Sequence, residues 1–208
     1  MKRYIKNEKG SGVILTIFNF AVVGIMLILV LNIAMAFTKK EQASIAAEHA
    51  SLAATSAIYD EVNDVVDSHV KIIEVEDGIN ILEPLIDKVE ARKASLSSSD
   101  LSSNEIHIKA VNDVLMDEIP DDPVLEMKLK NAVEDAFDHI PNTISNVIDL
   151  NHGKKTDYDW EFRDYQINVE AKTEFEAAHH NGINFGSDQD ISQVGIGPEV
   201  PFLESLGY

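Results

Sequence analysis

Twenty-five consecutive residues without a charge, Val13 to Phe37 (VILTIFNFAVVGIMLILVLNIAMAF), constrain this chain more than any other feature. Within the run only Thr16, Asn19 and Asn32 are clearly polar. About 20 apolar residues cross the hydrocarbon core of a bilayer as a helix, so the run is long enough to span with some tilt. Core helices of soluble proteins are rarely charge-free over such a length. Secretory signal peptides carry a shorter apolar region, about 7–15 residues, and then a small-residue cleavage site. Ala34-Met35-Ala36 offers such a site, but the run passes straight into a helical pattern built as one rod. The pattern predicts a transmembrane helix over 13–37 behind a basic tail over 1–12.

Charge sets the expected orientation. The tail carries Lys2, Arg3, Lys6 and Lys9, while the other flank carries Lys39 and Lys40. Cationic residues are retained on the cytoplasmic side, so the N-terminus is expected inside and the rest outside the cytoplasmic membrane. Residues 1–40 sum to about +5, which leaves about −24 on the other 168 residues of a chain whose net charge is −19. A domain this acidic repels phosphate backbones and anionic headgroups, so nucleic acid is not an expected partner. The acidity suits solubility, or attraction of cations or basic partners. The chain has no cysteine, so packing and hydrogen bonding rather than disulfides must hold it together.

Beyond the apolar run, no glycine or proline occurs from Lys39 to Gly78. Alanines at 43, 47, 50, 54 and 57 are spaced 4, 3, 4 and 3 apart, a helical stripe of near-heptad period. Ile58, Val62, Val65, Val66, Val70 and Ile73 continue an apolar face. A juxtamembrane helix is expected within 38–77, continuous with the membrane helix to about residue 70. The stripe Ala43, Ala47, Ala50, Ala54 and Ala57 allows a backbone to approach closely. Two partners fit it equally, the chain's own domain or a helix of another subunit.

Residues 78–208 are expected to form an acidic extracytoplasmic domain. Amphipathic patterns predict helices over 80–93, 105–119, 123–139 and 142–150, with a serine-rich loop over 94–104. Asp122 before Pro123 fits an N-cap followed by a first-turn proline. From Trp160 to Ala177 the period changes to two, predicting one strand or two joined near Arg163-Asp164. Ile191, Val194 and Ile196 predict a last strand, and the tail PFLESLGY is expected along the surface. The predicted class is α+β: a transmembrane helix continuing into a long helix, then helices and a small antiparallel sheet.

The residues suggest no catalytic set, no cofactor site and no metal site. Adjacent residues such as His179-His180 do not share a helix face. Asp149-x-Asn151-x-Gly153 faintly resembles a calcium loop, but Lys154 holds the sixth position, where such loops need glycine. Asp157, Asp159 and Glu161 crowd the same stretch, leaving loose cation binding over Asp149 to Glu161 open beside a plain solvated loop. Ser97 to Ser99 lack a nucleophile-elbow context, and Gly195-x-Gly197 is too short for a phosphate fingerprint. The chain is therefore not expected to be an enzyme.

The residues from Glu8-Lys9-Gly10-Ser11-Gly12-Val13, through Lys39-Lys40-Glu41-Gln42-Ala43, to Ala46-Ala47-Glu48-His49-Ala50-Ser51-Leu52-Ala53-Ala54 resemble the TadE/TadG-like proteins of the Flp (Tad) type IV pilus system. The likeness covers about residues 8 to 57: a basic tail, a glycine junction, one apolar helix and an alanine-rich segment. It implies a pilus-assembly protein of the membrane, pilin-like or TadG-like, whose partners are other pilus or envelope proteins met by helix packing. In prepilin-like members a peptidase cuts after the junction glycine, here between Gly10 and Ser11. Those members carry a glutamate five residues after the cut, where this chain has Leu15, a departure that favours a TadG-like anchor. The alternative is an extracytoplasmic binding or sensor module tethered to the membrane.

Overall fold

The computed structural model describes residues 8–75, 79–177, 179–180, 183–184 and 187–208. The first helix, α1, runs unbroken over Glu8–Ser68, 61 residues and about 92 Å at the rise of an α-helix. Its two halves have different surroundings. From Val13 to Phe37 nearly every large apolar side chain is exposed, Phe20 as much as 74%. From Ala43 onward one side is fully buried, through Ala43, Ala47, Ala50, Ala54, Ile58 and Val62.

The rest of the chain is assembled on that second half. β1 (Val70–Val75) and β2 (Ile79–Pro84) form an antiparallel hairpin, followed by α2 (Leu85–Leu96) and α3 (Ser103–Glu118). A single 3-10 turn over Ile119–Asp121 leads into α4 (Pro123–Leu150). A three-stranded antiparallel sheet has the order β3 (Tyr158–Arg163), β4 (Gln166–Phe175), β7 (Gln189–Ile196). Between β4 and β7 lies the short pair β5 (His179–His180) and β6 (Ile183–Asn184), and α5 (Phe202–Leu206) closes the chain. α4, β4 and β7 all pack against α1, while α2 packs chiefly on α3. The class is α+β, with helices first and the small sheet late.

Several local expectations need correction. α1 stops at Ser68 and residues 70–75 are a strand, where the apolar face was expected to continue as helix. The run VKIIEV is rich in β-branched residues, and a short apolar run satisfies either period. The helix expected over 80–93 is instead strand to Pro84 and helix from Leu85; Pro84 stands at the N-cap in extended geometry. Helices expected separately over 123–139 and 142–150 are one helix that includes Pro141. An internal proline costs about 3 kcal/mol. Here the buried stripe Leu125, Leu129, Val133, Ala136, Ile140, Ile144 and Ile148 runs through it and favours one continuous element. Tyr158 Oη also donates to the Pro141 carbonyl at 2.8 Å. Finally, the tail does not lie on the surface, because Phe202, Leu203 and Leu206 of α5 are buried in the core.

Other expectations hold in detail. β3 and β4 are joined by Asp164 and Tyr165, both at positive φ (53° and 59°). A two-residue loop of this kind matches the twist of the flanking strands. In β3, Tyr158, Trp160 and Phe162 stand opposite Ala171, Val169 and Ile167. This inner row meets α4 at Phe137, whose ring centroid lies 5.5 Å from Phe162 and 6.4 Å from Trp160.

Asp122 caps α4 as its position suggested, accepting from the backbone N–H of Val124 and of Leu125 at 3.0 Å each. Its other oxygen pairs with His69 Nε2 at 2.9 Å, tying the residue just after α1 to the start of α4. Burial pushes the Asp122 carboxyl up, but the backbone N–H of Leu125 and the His69 ring outweigh it, so it lies below its ordinary value. Glu118 behaves alike: burial raises it, and hydrogen bonds from Lys88 and Lys71 bring it below the usual range. Both carboxylates therefore stabilise the fold above the ordinary carboxylate range, and this contribution is lost as pH falls through their depressed values. The thermal midpoint of the detergent-solubilised chain should fall as pH drops below about 4. Asp122→Ala should lower stability at neutral pH by about 1 kcal/mol or more and flatten that acid dependence; an unchanged midpoint would contradict the pairing.

Candidate functional site

The feature of this fold that asks for a partner is the bare half of α1 and the seat beside it. Among the described residues, α1 is the one helix long and apolar enough to cross a membrane, and none of its most apolar stretch is buried within the chain. A soluble monomer rarely exposes apolar patches beyond a few hundred Å². Here the exposed surface is continuous around the helix. Lys39 and Lys40 mark its end, and Thr173, fully buried on β4, donates to the Lys39 carbonyl at 2.8 Å.

On one side the domain reaches past those lysines. Phe175, Ser187 and Gln189 line a groove with Leu29, Asn32, Ile33 and Ala36 of α1. Asn32 is buried there, 8% exposed, and is engaged within the chain. Among the described residues, Val13 to Ile28 is then left clear of this groove, about 24 Å of helix. That length is most of the about 30 Å of a bilayer core.

The alanine stripe has a different role from a subunit contact. Ala43, Ala47, Ala50 and Ala54 are fully buried and Ala57 is partly buried, all within the chain. The element on the stripe is β7. A Cβ placed on Gly195 would collide with the backbone of Ala47 and Glu48, and one on Gly197 would meet Thr55 Oγ1 and the Ser51 carbonyl. Alanine on the helix and glycine on the strand together let two backbones touch. The stripe is thus not an open surface for another subunit. The Gly-x-Gly pair, Gly195 in β7 and Gly197 just past its end, is the missed half of this contact, and its signal is the two-residue spacing that turns both positions to one side of an extended chain.

Gly10 and Ser11 lie near the start of α1, where the described backbone is helical. The side chains of His179 and His180 lie outside the described residues. The calcium-loop echo at 149–153 is a helix terminus. Gly153 N–H donates to the Ile148 carbonyl at 2.8 Å and His152 N–H to Asp149 at 3.0 Å, with His152 at φ 62°. These two bonds form a Schellman cap. Nearby carboxylates are paired: Asp149 with Lys155 at 3.5 Å, Asp157 with Lys172 at 2.6 Å and Glu161 with Arg163 at 3.3 Å. Among the described residues, no three His, Asp or Glu side chains converge as metal ligands.

Comparison with family models, with curated proteins and with solved structures finds no match.

Gly195→Ala should destabilise the domain by about 1–3 kcal/mol, the usual cost of overpacking. Gly24→Ala, with nothing within 4 Å, should cost nothing measurable in the same thermal unfolding series. Equal effects would show that β7 is not seated on the stripe.

Proposed function

We propose that the chain is a membrane-anchored structural or assembly component of a Tad-like type IV pilus or a related envelope machine. The observation that carries this reading is the continuity of α1, with a bare apolar half and a half that serves as the core of the acidic domain. A single rigid rod transmits position and force between the bilayer and the domain, with no linker to absorb them. In this reading Val13 to Ile28 lies in the hydrocarbon and the Lys39-Lys40 pair lies at the outer headgroups. The basic tail stays inside, following the excess of Lys and Arg there. The acidic domain lies outside and meets other pilus or envelope proteins. The role is mechanical rather than catalytic.

Resemblance to TadE/TadG-like proteins over residues 8 to 57 supports the pilus assignment. Leu15 at the position of the pilin glutamate favours a permanent anchor over a polymerising subunit. A buried N-terminal amine would lack its neutralising partner in apolar surroundings.

Intact mass of the protein isolated from its native membrane separates the readings. A chain that begins at Met1 and resists alkaline extraction is the expected result for an anchor. A chain beginning at Ser11 would make it a processed, pilin-like subunit despite Leu15. A chain beginning at Phe37, cut after Ala34-Met35-Ala36 and released by alkaline wash, would overturn the anchored reading altogether. The pilus assignment is tested by deleting the gene: loss of surface pili, restored by the wild-type copy, is expected, and unchanged piliation would contradict it.

A further inference from the structure

In hydrocarbon every polar group needs a partner, because water is absent. The apolar run contains three clearly polar side chains, and the structure accounts for two of them. Thr16 donates its hydroxyl to the Gly12 carbonyl of its own helix at 2.9 Å. Asn32 is buried on the domain side and engaged within the chain. Asn19 has no hydrogen bond among the described residues. It lies about 2 Å along the axis from the midpoint of Val13–Ile28, where an unpaired amide is most costly.

The face that carries Asn19 is open. Thirteen residues separate Asn19 from Asn32, a turn of about 140° around the helix. Among the described residues none of the domain covers it, and Asn19 is exposed. Thr16, Asn19, Phe20 and Val23 line a shallow groove on this side of α1. Gly12, Thr16, Asn19, Val23, Met26 and Val30 follow one another at spacings of 4, 3, 4, 3 and 4. That is the seam of a left-handed helix pair, with small or slender side chains at its N-terminal end.

We propose that this face pairs with the same face of a second copy of the chain, the two Asn19 amides bonding to each other. The occupant follows from symmetry. A carboxamide both donates and accepts, so it is its own complement. All copies enter the membrane in one orientation, so two parallel helices bring Asn19 to Asn19 at the same depth. A C2 pair of this kind is closed and isologous. The inference rests on the membrane-spanning reading and adds to it the partner and the residue that selects the partner.

The absence of native cysteine makes the test direct. Full-length Val23→Cys and Ala21→Cys variants are expressed in native membranes, alkaline-washed and oxidised. Val23 lies on the seam and Ala21 about 160° away. Val23→Cys should yield a disulfide-linked species of twice the 23.0 kDa chain, and Ala21→Cys should not. Asn19→Leu in the Val23→Cys background leaves the helix more apolar and still inserted, and should lower the cross-linked fraction with a loss of about threefold to thirtyfold in pairing constant. Asn19→Gln, which keeps the amide, should retain most of it. Equal cross-linking at both positions, insensitivity to Asn19→Leu, or cross-links only to a chain of another mass would overturn self-pairing and leave the anchor standing. Release of every variant by the alkaline wash would overturn both.

Discussion

The contact between the Ala43 to Ala54 side of α1 and the glycine-bearing strand β7 governs the rest of this structure. It brings a strand against a helix at backbone distance, so the sheet has no freedom to slide along or rotate around the rod. β4 follows through its pairing with β7, and Thr173 on β4 reaches the Lys39 carbonyl. α4 packs on α1 as well and meets the aromatic row of β3 through Phe137. The place of the domain along α1, and so its height above the apolar half, depends on this one seat.

A helix with a single periodic pattern could not serve both halves. The apolar half has large side chains all round, as suits lipid, which has no preferred side. The other half is one-sided, small where β7 approaches and larger at Ile58, Val62 and Val66, where the core widens. Polar cross-links then join α1 to its surroundings. Asn112 on α3 donates to Tyr59 Oη at 2.7 Å, and His69 pairs with Asp122 at the start of α4. At the surface of this acidic chain, lysines such as Lys88, Lys154 and Lys172 each sit on a carboxylate.

Much of this was legible in the residues. The charge-free run, the alanine period, the Asp122-Pro123 cap and the alternation of Trp160 to Phe175 each carry a local signal strong enough to stand without tertiary context. The failures share a cause. Val70 to Val75 fits helix and strand alike, and its hairpin partner decided. Pro141 marks a break by local rules, and the buried stripe on both sides of it overrode them. Phe202, Leu203 and Leu206 are too few to announce a helix, yet they fill the core beside Tyr59, whose ring lies 6.1 Å from that of Phe202. The stripe itself could be seen, but not what covered it, because the two-residue spacing of Gly195 and Gly197 does not say which helix the strand meets. Asn19 was equally visible, and its interest arises only once Thr16 and Asn32 are seen to be satisfied within the chain.

The most direct measurement is the reactivity of single cysteines toward a membrane-impermeant maleimide in cells with a sealed cytoplasmic membrane. Asp100→Cys, on the exposed turn after α2, should label at once, Lys6→Cys only after lysis, and Gly24→Cys in neither state until detergent is added. Labelling of Gly24→Cys as fast as Asp100→Cys would place the apolar half of α1 in water, and the division of that helix between two solvents would be wrong.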